Sequence, residues 1–106
     1  MDVNMKNGKK AHYSLLHIAA EKNYTELLDV LSHFDVDVNI RNRLLITPIY
    51  YAVENRNIEF VRRLIEMGAD LNLEDKNGST VFYWAVYMAD IDTLKFLYEN
   101  GAKMMI

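Results

Sequence analysis

Ser14 and His17 are the residues of this chain whose types and spacing come nearest to chemistry. Three positions apart, about one helical turn, a hydroxyl and an imidazole would meet on one helix face. With Asp29 or Asp35 as a third member they would supply a nucleophile, a base and an orienting carboxylate. A serine nucleophile also needs an exposed elbow and oxyanion donors, and nothing around Ser14 resembles that elbow. Ser14 is better explained as a helix cap. His12, His17 and His33 are scattered, with no His-x-x-x-His pair and no cysteine, so the donor set of a metal site is not assembled. Gly8, Gly68, Gly78 and Gly101 are isolated, each suited to a turn or a cap rather than to a phosphate-cradling loop. The chemistry-bearing residues thus imply no enzyme, no metal and no cofactor.

The composition narrows the class further. A chain of 106 residues that is 51% apolar can bury a core as one domain, 1–106, and is not disordered wholesale. A net charge of −3 argues against a nucleic-acid binder. With no cysteine there is no disulfide framework, which fits the cytoplasm or nucleus, or a host cytosol if the source is an intracellular parasite or virus. Residues 1–10 are too polar for a secretory signal, and no run approaches the ~18 apolar residues of a membrane span.

What positions Ser14 and His17 is a repeat. Ser14-Leu-Leu-His-Ile-Ala19, Thr47-Pro-Ile-Tyr-Tyr-Ala52 and Thr80-Val-Phe-Tyr-Trp-Ala85 align at a spacing of 33, without a gap. In the same register Leu28, Val61 and Leu94 align, as do Leu31, Leu64 and Leu97. Each unit reads as a turn and two short helices. In the second unit Thr47 reads as the N-cap and Pro48 as the first helical residue, where a missing N–H costs nothing. Ile49, Ala52 and Val53 follow at helical spacing, and Ile58, Val61, Leu64 and Ile65 mark a second helix that Gly68 ends. Asn77-Gly78 is a tight-turn signal before the third unit's first helix. Helices this short are not stable alone, so they must stack on their neighbours.

The period, Thr47-Pro48, His17 two before Ala19, and Met67-Gly68-Ala69-Asp70-Leu71-Asn72 together resemble the ankyrin repeat, over roughly residues 9–106. The resemblance implies an all-α solenoid of stacked helix-turn-helix pairs with projecting β-hairpin fingers, in repeats of approximately 9–41, 42–74 and 75–106. Residues 1–8 would be the remnant of an upstream loop or a short extension. Leu15 and Val81 replace the family's proline, Tyr50 and Tyr83 its histidine, and Asn23, Arg56 and Ala89 stand where it prefers glycine. His17 becomes the family's structural histidine, bonded to a neighbouring finger, and Asn39 and Asn72 tie down the loop after the second helix. The chain begins with Met1, which favours a small free-standing product over a segment of a longer array.

The implied function is a non-enzymatic module binding another protein, of no readable identity, across the concave surface of fingers and first helices. Nucleic acid and membrane are not expected partners. The alternative is a structural end segment of a longer array without a partner of its own, and weak self-association through Met104–Ile106 goes with it. Tyr87 and Met88, with Glu21, Lys22, Glu54 and Asn55, align with the positions that family members vary to choose partners. Tyrosine and methionine are enriched in interfaces. Tyr50 and Tyr83 read as inter-repeat packing, and Tyr51 and Trp84 as a stacked row. In the second finger Leu44, Leu45 and Ile46 form an unusual apolar tip. Leu45, at a position usually glycine, reads as folding inward, while for Leu44 and Ile46 exposure and burial weigh evenly. Lys6, Lys9, Lys10, Arg41, Arg43 and Lys76 outnumber Glu74 and Asp75 in the fingers, an edge that would steer an acidic partner segment.

Overall fold

The computed structural model describes residues 14–104 and holds six helices in three pairs. The first pair is α1 (Leu15–Lys22) and α2 (Thr25–Leu31), the second α3 (Pro48–Glu54) and α4 (Ile58–Glu66), the third α5 (Val81–Tyr87) and α6 (Ile91–Glu99). The first helices α1, α3 and α5 pack side by side, and each also packs on the second helix of its own pair. Ala19, Ala52 and Ala85 are at most 1% exposed, and a methyl there lets neighbouring backbones approach. Leu31, Leu64 and Leu97 are buried in the same register, joining one continuous core with Leu28, Phe60 and Val61. No helix among the described residues is long and apolar enough to cross a membrane.

The turns show how non-glycine residues fill glycine positions. Asn23, Arg56 and Ala89, each just past a first helix, take the left-handed conformation with φ of 61°, 57° and 55°. Asparagine tolerates that region, whereas a longer side chain or alanine is strained there. Past the second helices Gly68 and Gly101 take φ of 103° and 100° without that cost. Asn39 and Asn72 act as expected and also join repeats. Asn39 Nδ2 donates to the Gly68 carbonyl at 3.2 Å and its Oδ1 accepts from Asp70 N at 2.8 Å. Asn72 does the same to Gly101 and Lys103, at 3.3 and 2.8 Å.

One expectation is not confirmed here and another is corrected. The fingers expected as β-hairpins carry no strand among the described residues. Each is a closed turn, with Asn42 N bonded to Ile46 O at 3.0 Å and Asp75 N to Ser79 O at 2.8 Å. The Asn42 side chain accepts from the amides of Leu44 and Ile46, and that of Asp75 from Asn77 and Ser79, so side chains take the amides that a ladder would use. Thr47 stands at the N-cap position of α3, but its side chain accepts no capping bond. Its buried Oγ1 finds no partner among the described residues. Asn57 and Asp90 do cap α4 and α6, accepting from Phe60 N and Thr93 N.

Candidate partner-binding surface

The Ser14–His17 pair is a joint between repeats. Ser14 Oγ accepts from His17 N at 3.1 Å and lies 2.9 Å from Nδ1, while His17 Nε2 lies 2.7 Å from the carbonyl of Ile46 in the next finger. A carbonyl can only accept, so Nε2 carries the proton and Nδ1 accepts from the serine hydroxyl. Both side chains are buried, at 1% and 0% exposure, so the hydroxyl is closed to a substrate. One repeat later Tyr50 takes over this joint. Its hydroxyl donates to Leu73 O at 2.7 Å and Ser79 O at 2.8 Å, again in the next finger. Burial, with the Asp75 carboxylate adding to it, pushes the Tyr50 phenol well above its ordinary range. A tyrosine offers no ring nitrogen to Thr47, and the Tyr50 amide bonds the Thr47 carbonyl at 3.2 Å, so the threonine hydroxyl lacks both partners that Ser14 has.

A second set of bonds ties each finger to its own first helix. Asn42 Nδ2 donates to Tyr51 OH at 3.1 Å, and Trp84 Nε1 donates to Asp75 Oδ2 at 3.2 Å. The ring contacts run diagonally from one repeat to the next, His17 to Tyr51 at 6.0 Å and Tyr50 to Trp84 at 5.2 Å, both edge-on. These diagonal contacts, rather than a Tyr51–Trp84 stack, are the ring pairs found among the described residues.

Of these anchored rings Trp84 borders a cavity of about 350 Å³, lined by Glu54, Tyr83, Trp84, Tyr87 and Met88. Three of the expected contact residues thus converge: Tyr87, 76% exposed, Met88, half-buried, and Glu54, exposed. Tyr83 and Trp84 belong to the same cavity, although packing was the expectation for both. Tyr83 sits where Tyr50 does, yet no helix pair follows α6 among the described residues, and it is 49% exposed.

The finger candidates divide. Leu44 is 55% exposed, whereas Ile46 is 6% exposed and in the core, so its candidacy as a surface contact is withdrawn. The reason is local: Leu45 takes φ 61°, turning the chain so that Ile46 faces in, while Leu45 itself stays partly outside instead of folding inward. Arg41 is half-buried and donates from Nη2 to the Glu74 carbonyl, so it braces two fingers. Asn55 spends its amide on the carbonyls of Ala20 and Glu21, at 2.7 and 3.0 Å, closing the end of α1. Arg43 and Lys76 are exposed, and Lys76 N bonds Leu44 O between the fingers at 2.9 Å. Lys6, Lys9, Lys10, His12, Met105 and Ile106 lie outside the described residues.

A comparison with curated proteins finds no match. The family model for ankyrin repeats in three copies matches residues 3–106, nearly the whole chain. Period, helix pairs and matched span agree: the chain belongs to the ankyrin-repeat family, whose members are generally protein-interaction modules.

Proposed function

We propose that the chain is a non-enzymatic module that grips a partner protein over the concave side of α3 and α5 and the finger tips. The observation that carries this reading is the exposure of Tyr87, 76%, beside a cavity with a buried scaffold beneath it. Large aromatics left in water on a rigid helix suit an interface anchor. Leu44, Arg43 and Lys76 extend the surface along the fingers, where the cations suit an acidic stretch of the partner. Arg41 and Asn55 support that surface from beneath.

The test is capture from a candidate lysate with the intact chain and with a Tyr87→Ala, Met88→Ala variant. Retention of the same partner by both would show that another surface does the work. A second reading, end-stacking on another repeat or a second copy, draws on Ile91, Tyr98 and Met104, which are 61%, 59% and 59% exposed. Sedimentation that shifts with concentration would favour it.

A further inference from the structure

We propose that the cavity between α3 and α5 receives a cationic side chain, arginine or lysine, of the bound partner. This rests on the reading of the concave face as a binding surface and names what it selects. Three aromatic rings and a thioether would serve an aliphatic side chain equally well. What distinguishes the cavity is the exposed carboxylate of Glu54 at its edge. Glu54 makes no ion pair among the described residues, although Arg62 pairs with Glu59 and Arg63 with Asp29 elsewhere on the surface. A carboxylate left unpaired beside aromatic faces attracts a charge that the faces also attract.

The indole is tuned in the same direction. Trp84 Nε1–H donates to the Asp75 carboxylate, which is only 8% exposed, so negative charge is placed against the ring and its face becomes a better cation acceptor. That bond and the perpendicular Tyr50 ring at 5.2 Å hold the indole in place before anything binds. Arg56 is committed to the Met88 carbonyl at 2.8 Å and does not line the cavity.

Trp84 is the sole tryptophan, so its indole N–H resonance reports on the cavity directly. The probe is N-acetyl-arginine methylamide, with the citrulline analogue as its neutral isostere, titrated into the full chain. Saturable movement of the indole signal by the arginine probe is expected, with the citrulline probe about fivefold weaker or worse. Glu54→Gln should weaken the arginine probe about threefold or more and leave the citrulline probe unchanged. Equal binding of both probes, indifference to Glu54→Gln, or an indole signal that moves with protein concentration alone would overturn the proposal. In the last case a second copy occupies the cavity. If these fail while Tyr87→Ala, Met88→Ala still abolishes partner capture, the binding face stands and only its selectivity for a cation falls.

Discussion

Trp84 Nε1 donates to Asp75 Oδ2 at 3.2 Å, and one repeat earlier Asn42 Nδ2 donates to Tyr51 OH at 3.1 Å. The residue types are matched in pairs. An indole can only donate and needs an acceptor, supplied here by a carboxylate oxygen that the turn does not use, whereas a phenol oxygen can accept from an amide. In both fingers the side-chain Oδ1 closes the turn by accepting two backbone amides. Asp75→Asn should keep the turn, losing only the indole bond and about 1 kcal/mol. Adding Trp84→Tyr should recover part of that loss by copying the Asn42–Tyr51 pair. Urea denaturation of the four proteins of this cycle should give a favourable coupling of roughly 0.5–2 kcal/mol. Strict additivity would mean that the pairing of types is incidental.

Thr47 makes the opposite case, a polar group without a use. Its Oγ1 is buried and unpartnered because Tyr50 stands where His17 serves Ser14. Thr47→Val keeps the shape and removes the stranded hydroxyl, so it should be neutral or stabilise by up to about 2 kcal/mol. Removing the hydroxyl by Ser14→Ala should destabilise, because Ser14 accepts from His17 N and meets Nδ1. Thermal midpoints moving down in both variants would show that the Thr47 hydroxyl has a partner in solution.

The fold was legible because alanine and leucine recur in one register in all three repeats and asparagine in the first two, where Asn39 and Asn72 make the same contacts. The site was only half legible. Tyr50 and Tyr83 share residue type and register, yet one is 1% and the other 49% exposed, since burial depends on a following finger and not on the residue itself. Ile46 likewise looked equivalent to Leu44 until the left-handed turn at Leu45 set which of them faces inward. Hydroxyls at 14, 47 and 80 align in sequence, yet only that of Ser14 accepts a capping bond from its helix.

Tyr50 should also make stability fall at alkaline pH. Burial, then the nearby Asp75 carboxylate, raise its folded pKa, so the unfolded chain releases the phenolic proton first. The contribution is complete below the unfolded pKa of about 10 and is lost progressively as pH rises above it. Tyr50→Phe should cost about 1–3 kcal/mol near neutrality, because the carbonyls of Leu73 and Ser79 lose their donor. It should also flatten the decline between about pH 10 and about pH 11. Parallel urea series for the two proteins over that window give the comparison. An equally steep decline in the variant would assign the sensitivity to another group.

Ala89 offers the simplest gain in stability. It sits at φ 55° just past α5, exposed, and its methyl contributes little beyond strain. A left-handed alanine costs roughly 1–2 kcal/mol, and glycine returns about 0.4–1 kcal/mol of that through a freer unfolded chain. Ala89→Gly should therefore stabilise by about 0.5–1 kcal/mol. Arg56, at φ 57° in the preceding repeat, is the control. Its guanidinium donates to the Met88 carbonyl at 2.8 Å, bridging two repeats, so Arg56→Gly relieves the same strain but removes a bond. The gain there should be smaller or reversed. Urea midpoints ordered with Ala89→Gly highest would support this account. Equal gains at both sites would mean that the Arg56 bridge contributes nothing, and no gain at either would mean that the turns relax their strain in solution.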